Sequence, residues 1–533
     1  MTKWIAAVLA LELLSSSSVS FAQTEDALRQ TNGLASQVYM GTGKGVIVSV
    51  LDSGIDVTHP ALRGSIYAQK DFTGEKKLDD DKGDAGHGTG IAGILIGHDT
   101  KTYSGMAPGA RLINARVDTT ADVTSDLWAG NGLIWSARSG AKVANISFGN
   151  KLGQGPLTDK INLISDYVAE RYGVSVVVAA GNENDTAVQQ APGAEYNGFT
   201  VGATGGPGYQ RTTEFSNYSL DSDIRTKPDL VAPGEAVDIA TADWEKNTNY
   251  WTAKGTSYSA PMVGGVLAQM IGYGKSKKLP TDPLLLKAIL LTSATKGRDA
   301  DGTPWEQRNG GRDQDYGYLI TQPLDDEQGA GQLDAVAAYR LYAKTKAKST
   351  PLNTWREGKL KGDQTFDLKL GKLLAGQRLD ATLTWFRHVA YKDKNKNGLD
   401  AKDTFYQTVP LADFTLSILR DGVPIGASDS SVDNLEHLSW ILERTGNYTL
   451  EVYRFADGGL PTENFALAAR VLKGSAAQLP PLIESSRRGL AYDATSELKG
   501  FDVPEPGIGG MMILFAFVAC ARRTGAATRP ENN

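Results

Sequence analysis

From Val46 to Leu51 the chain is apolar at every position except Ser49. A short apolar run without polar alternation marks a strand buried on both faces, as in a parallel sheet. Similar runs return at Arg111 to Val117, Val143 to Phe148, Val174 to Ala180 and Phe199 to Ala203. Longer stretches between them predict helices over His87 to Ile96, Thr124 to Arg138 and Leu157 to Tyr172. Further helices are predicted at Met262 to Ile271, at Pro283 to Ala294, and after Asp334 to near Lys344. This alternation of strand and helix implies the α/β class, a doubly wound and mostly parallel sheet with helices on both faces.

Beyond residue 345 the pattern changes. Thr345 to Thr354 is basic and polar, and 346–364 reads as a linker. Short alternating runs follow at Thr365 to Leu370, Leu379 to Phe386, Phe414 to Leu419, Leu438 to Leu442 and Tyr448 to Tyr453. They predict a small antiparallel β-sandwich over 365–473. A second linker, 474–502, leads to a tail, 503–533, in which Met511 to Ala521 is wholly apolar and precedes Arg522 and Arg523. At the other end, Lys3, the apolar run Trp4 to Leu14 and Ser20-Phe21-Ala22 have the layout of a signal peptide over 1–22. That run is too short to span a bilayer, and the competing reading is a buried N-terminal helix. The α/β domain is expected over 23–345 of an exported protein.

Composition narrows the function classes. A chain of 533 residues, 41% hydrophobic and 22% charged, can bury a large core. Its net charge of −6 argues against a nucleic-acid partner. The single cysteine, Cys520, excludes an internal disulfide and a cysteine zinc site.

Polar residues stand at the ends of the predicted elements, where functional groups gather in open α/β sheets. Asp52 follows the first buried strand, Asn182 follows Val174 to Ala180, and His87 and Ser257 each open a helix. A serine in the first turn of a buried helix lies among free backbone N–H groups, which stabilise negative charge arising beside it. Each residue alone has a plainer role: Ser257 as a helix cap, Asp52 as a turn former, His87 as a structural histidine. In Asp393-Lys394-Asn395-Lys396-Asn397-Gly398, oxygen side chains alternate before a glycine. That spacing of Asp393, Asn395 and Asn397 is similar to the first half of a calcium loop, although Thr404 stands where its glutamate is expected. A polar hairpin tip is the alternative.

Four motifs occur in order: Asp52-Ser53-Gly54, His87-Gly88-Thr89-Gly90-Ile91-Ala92-Gly93, Ala180-Gly181-Asn182-Glu183 and Gly255-Thr256-Ser257-Tyr258-Ser259-Ala260-Pro261. Together they resemble the subtilisin-like serine proteases, or subtilases, over about residues 30 to 345. The resemblance implies Ser257 as nucleophile, His87 as general base and then acid, and Asp52 as the group that orients it. It further implies an oxyanion hole made by the Asn182 amide and the Ser257 N–H. Ser147, Phe148 and Gly149 match the strand that pairs with the substrate backbone, with Phe148 beside the specificity pocket or, alternatively, simply in the core. Substrates would be polypeptides, the chemistry would need no cofactor, and any calcium would be structural.

The region 365–473 resembles the β-sandwich modules that follow subtilase domains, with Asp433-Asn434-Leu435-Glu436-His437 as a typical fragment. Val503-Pro504-Glu505-Pro506, the apolar run and the two arginines resemble bacterial PEP-CTERM sorting signals. They imply sorting and processing machinery as a partner and transient retention by the membrane, a permanent anchor being the alternative. Many secreted subtilases carry a pro-domain ahead of the first strand; 23–45 is too short for one, so none is expected there. Two functions follow, a secreted serine endopeptidase and a catalytically idle subtilase scaffold that binds at the cell surface. The intact Asp–His–Ser set favours the first.

Overall fold

The computed structural model describes residues 27–474 apart from 80–85, 100–102, 120–122, 152–158, 185–189, 219–224, 243–249, 315–316, 348 and 395. The signal segment 1–22 and the tail 503–533 lie outside the described residues. Among the described residues no helix is long and apolar enough to cross a membrane.

An eight-stranded sheet forms the base of the molecule. Its centre is β1 (Ile47–Asp52), between β3 (Arg111–Arg116) and β4 (Val143–Ile146), both parallel to it. β2 (Ile66–Asp71) lies outside β3. On the other side follow β5 (Ser175–Ala179), β6 (Phe199–Gly205) and β8 (Leu230–Pro233), all parallel. The short β7 (Arg211–Thr212) pairs antiparallel with β6. The spatial order β2-β3-β1-β4-β5-β6 reverses direction beside β1. The carboxyl ends of β1 and β4 therefore border the crevice where open α/β sheets place their ligands.

Alternate side chains of each strand enter different cores. Val48, Val50, Val143, Val177 and Ala179 enter one, and Leu51, Ala144, Ile146, Val176 and Val178 enter the other. Both faces are apolar, which is why the runs in the sequence do not alternate. The first core takes α1 (Gly33–Met40), α2 (His87–Ile96), α5 (Thr256–Lys277), α6 (Pro283–Ser293) and α7 (Ala335–Tyr342). The second takes α3 (Asp126–Arg138) and α4 (Asp159–Tyr172). α5 lies close enough to its neighbours that a Cβ on Gly265 would stand 2.2 Å from the Met106 Cβ. A hairpin, β9 (Val237–Ala240) and β10 (Tyr250–Ala253), packs beside α2 just ahead of α5.

The C-terminal region contains two further sheets. One has the order β13 (Leu352–Lys361), β22 (Thr462–Leu472), β15 (Arg378–Trp385), β20 (Leu435–Ile441), all antiparallel. The other has the order β11 (Asn309–Arg312), β12 (Leu319–Thr321), β19 (Val423–Asp429), β18 (Phe414–Arg420), β21 (Gly446–Arg454), β14 (Gln364–Leu373). Leu379 and Leu467 of the first and Ile418 and Leu450 of the second belong to one apolar cluster. β16 (Val389–Lys392) and β17 (Thr404–Gln407) form a separate hairpin.

Here the structure departs from the sequence reading. The stretch 346–364, expected as a linker, carries the ten-residue β13. β11 and β12, from before residue 345, join a C-terminal sheet, β12 pairing parallel with β19. Strands of three or four residues are too short to show a period, and their pairing is set by tertiary contacts. α6 joins the two halves. Its Leu284 carbonyl accepts from Thr384 Oγ1 at 3.0 Å, and its Thr292 Oγ1 donates to Thr382 Oγ1 at 2.8 Å. Arg470 donates to Ser293 O at 2.9 Å and Ala294 O at 2.8 Å, a cation closing the helix C-terminus. The described residues fall within one compact unit.

Candidate active site

Asp52 is the last residue of β1 and is 3% exposed. Its Oδ1 accepts from the Ser53 N–H at 2.9 Å and the Ser53 hydroxyl at 3.1 Å. The same oxygen lies 2.9 Å from Nδ1 of His87, the first residue of α2. Strand end and helix start must approach closely for this bond. Gly88 permits it, since a Cβ there would stand 2.2 Å from Gly54 O and 3.1 Å from the Asp52 Cβ. The structure thus joins two of the residues singled out from the sequence.

Ser257 is the second residue of α5 and is 8% exposed. Its hydroxyl donates to Ser147 O at 3.0 Å, and its carbonyl accepts from the Ser147 hydroxyl at 2.9 Å. The second bond has a cause four residues on. Pro261 lies inside α5 and has no N–H, so the Ser257 carbonyl lacks its helical donor. Ser147 supplies one from the sheet, and Asn145 Nδ2 donates in turn to Ser147 Oγ at 2.8 Å. Ser147 follows β4, whose carboxyl end borders the switch-point crevice.

Asn182 is held by the residue before Ser257. Its Oδ1 accepts from the Thr256 N–H at 2.8 Å and the Thr256 hydroxyl at 3.0 Å, while Thr256 Oγ1 accepts from the Gly181 N–H at 3.1 Å. With Oδ1 fixed by two donors, the Nδ2 donor must point elsewhere, and Asn182 itself is exposed. The backbone N–H of Asn182 donates to Glu183 Oε2 at 3.0 Å, which also accepts from Asn217 Nδ2 at 2.7 Å. Phe148 and Gly149 are half-buried, and Phe148 packs against the core of α3 and α4.

The remaining histidines have structural partners. His59 Nδ1 accepts from the Ala61 N–H, His98 lies on Arg63 O, His388 bridges Glu170 and Glu463, and His437 is buried against Lys296. His87 alone among them is bonded to Asp52, and its ring lies 5.9 Å from that of Tyr258, beside Ser257.

Thr256, Asn145 and Arg116 were not read from the sequence. Arg116 is fully buried at the end of β3, opposite Asp52 in register. Its Nε donates to Ser53 O at 2.8 Å, Nη1 to Thr73 Oγ1 at 2.9 Å, and Nη2 reaches Glu75 Oε2 at 2.5 Å. Burial opposes ionisation of Asp71, but Thr73, the Lys76 N–H and Arg116 outweigh it and hold its carboxyl below the usual range. A signal for two of these existed. Asn145 and Arg116 are polar residues within apolar buried strands, and such residues need partners.

The loop considered for calcium lies between β16 and β17, with Asn395 outside the described residues. Asp393 accepts from the Lys396 N–H at 2.6 Å and the Gly398 N–H at 3.0 Å, and Asn397 Nδ2 donates to Asp400 at 3.0 Å. The loop docks on α3, where Asn131 Oδ1 accepts from the Ala401 N–H at 2.9 Å. Among the described residues no three or more His, Cys, Asp or Glu gather as a metal set.

The fold and these motifs belong together in known proteins. The subtilase family model matches residues 43–318, and the chain belongs to that family. It is 31% identical over 262 residues to a cuticle-degrading serine protease of Arthrobotrys oligospora, covering 48% of this chain and 58% of that one. It is 33% identical over 244 residues to the major intracellular serine protease of Bacillus subtilis, covering 43% of this chain and 70% of that one. The chain thus spans little more than half the length of the first relative. Among solved structures, the prenylagaramide maturation protease PagA matches with TM-score 0.45 and 21% identity, covering 57% of this chain and 96% of that one.

Proposed function

We propose that the protein is a serine endopeptidase that cleaves polypeptides through an acyl-enzyme, with Asp52, His87 and Ser257 as its triad. The observation that carries this reading is the 2.9 Å bond between Asp52 and His87 at the carboxyl end of β1, next to the strand β4 whose following residue, Ser147, holds Ser257. At rest the Ser257 hydroxyl is donated to Ser147 O. A substrate strand laid along 147–149 has backbone N–H groups of its own to offer that carbonyl. Its arrival turns the hydroxyl toward the imidazole Nε2. His87 takes the proton as Oγ attacks the scissile carbonyl, and Asp52 stabilises the imidazolium formed. Asn182 Nδ2 and the Ser257 N–H receive the oxyanion. His87 then protonates the leaving amine, and water, activated by the same imidazole, hydrolyses the acyl-Ser257 ester.

The support for Asn182 is the pair of Thr256 bonds that fix its oxygen. We propose also that the two C-terminal sheets stack as a β-sandwich on their common apolar cluster. Export through 1–22 and transient sorting through 503–533 complete the reading.

The full chain is expected to hydrolyse an unfolded protein and to carry a fluorophosphonate on Ser257 after labelling. Ser257→Ala should do neither while keeping the same circular-dichroism spectrum. Folded protein that takes no label at Ser257 would overturn the assignment.

A further inference from the structure

The fragment Asp433-Asn434-Leu435-Glu436-His437 plays no part in the Ser257 site, yet all five residues are buried. It ends in the joint between the C-terminal sheets and the stretch that follows α6. His437 of β20 is fully buried there, and so is Lys296. Lys296 Nζ lies 2.8 Å from His437 Nε2 and donates to Ala330 O at 2.6 Å. It also stands 3.9 Å from the centroid of the Trp305 ring. The other ring nitrogen, Nδ1, lies 2.8 Å from Thr382 Oγ1 of β15, to which Thr292 of α6 donates in turn. The His437 carbonyl accepts from Gln307 Nε2 at 2.7 Å. Lys296, Thr292 and Gln307 thus tie the α/β half to β15 and β20.

Buried cations ordinarily meet carboxylates. Here an ammonium meets an imidazole, and among the described residues no carboxylate bonds to either His437 nitrogen. The charged groups around the ring are Lys296, Asp380 and Arg378 of β15, and Arg470 of β22. Asp380 is shared by the two arginines, at 3.0 Å each, and so leaves Lys296 uncompensated. Asp325, in the loop before α7, acts on Lys296 but is itself held by the N–H groups of Glu306, Glu327 and Gln328. The carboxyls within the fragment, Glu436 and Asp433, bond to Ser428 and Ser430. Burial, and after it the Lys296 charge, hold His437 well below its ordinary pKa, with Asp380 opposing. The Lys296–His437 bond therefore shares one proton between its two nitrogens. A second would set N–H against N–H with like charges across 2.8 Å.

We propose that this joint is an acid-sensitive latch, in which a second proton on the Lys296–His437 pair uncouples β15 and β20 from α6 and the stretch that follows it. The proton comes from solvent when the joint opens, and His437 then holds it with the affinity of a free imidazole. At neutral pH closure costs no proton. As pH falls below the range of a free imidazole, closure must expel one, and the open joint gains population. The latch does not depend on the protease reading.

The test is hydrogen exchange, read by mass spectrometry, of the full-length Ser257→Ala protein and of Ser257→Ala/His437→Gln at pH 7.5 and pH 5. Comparing the two proteins at one pH removes the intrinsic pH dependence of exchange and the titration of Asp433, Glu436 and Asp380. Glutamine can accept from Lys296 and donate to Thr382, and it does not titrate. With a free imidazole titrating near 6.5, opening of the His437 protein relative to the Gln variant should grow about thirtyfold between pH 7.5 and pH 5. The gain should appear in peptides from β15 and β20, while β1 and β4 keep their protection. A ratio that does not change with pH would overturn the proposal, and so would a gain spread equally over β1 and β4. Where the Gln variant does not fold, Ser257→Ala/Lys296→Met takes its place. It removes the ammonium, so the acid-driven gain in β15 and β20 should fall below that of the Ser257→Ala protein, and an undiminished gain would equally overturn the latch.

Discussion

His388 fastens the C-terminal region to α4, and the strength of that fastening should depend on pH. Its Nδ1 lies 2.6 Å from Glu170 of α4, and its Nε2 lies 2.8 Å from Glu463 of β22. Burial disfavours the imidazolium, but the two carboxylates outweigh it and raise the pKa from 6.5 to about 9. At about 1.36 kcal/mol per unit, a rise from 6.5 to about 9 gives a ceiling near 3.4 kcal/mol. Glu170 is 28% exposed and solvent screens its share, so about 1–2 kcal/mol is the expected contribution. The folded-state pKa is the higher one, so the contribution is complete below about pH 6.5, falls as pH rises, and is lost above about 9. Urea unfolding of Ser257→Ala and of Ser257→Ala/His388→Gln at pH 6, 7.5 and 9.5 checks this, because titrations elsewhere cancel in the difference. The stability gap should shrink by about 1–2 kcal/mol between the first and last pH. A gap that stays constant, or widens with pH, would refute the argument.

Other consequences can be measured directly. Asn182→Ala should lower kcat with little change in KM; a loss of about 10²–10³ is the usual scale, a figure taken from a member of this family rather than from this geometry. Thr256→Val removes one of the two donors to Asn182 Oδ1 and should lower kcat less, again at nearly constant KM, as steady-state kinetics on a peptide substrate would show. Arg470→Met leaves Asp380, which is buried and held strongly ionised by its arginines, without one partner at 3.0 Å. It should cost about 3–5 kcal/mol in denaturant unfolding.

The α/β half of the fold was legible because its strands are covered on both faces. Val46 to Leu51 could hardly be anything but a central strand, and Asp52 had to emerge at its end. Asp52, His87, Asn182 and Ser257 each sit at the end of an element with a strong apolar signal. Their supports were hidden. Thr256 acts through its hydroxyl toward a residue 74 positions away, and no local pattern reveals that. β13 was missed for a different reason. It is an edge strand reading Leu-Asn-Thr-Trp-Arg-Glu-Gly-Lys-Leu-Lys, in which Trp355 and Leu360 are its only buried apolar residues. Charges on an edge guard against pairing with other chains, and in a sequence they look like a linker. Phe148 shows the limit of motif reading, because a half-buried ring packed against the core of α3 and α4 fits either role.

Pro261 changes what Ser257 is attached to. In an uninterrupted helix the Ser257 carbonyl would answer to a residue one turn along, and the first turn could fray on its own. Deleting that one donor transfers the carbonyl to Ser147, and the Ser257 hydroxyl rests on the same residue. The serine is therefore indexed to the sheet at two points, and through Asn145 to the strand beneath. Local loosening of α5 cannot release it without also drawing on β4. Heating should accordingly leave the site in register until the sheet itself gives way, so that inactivation and global melting coincide.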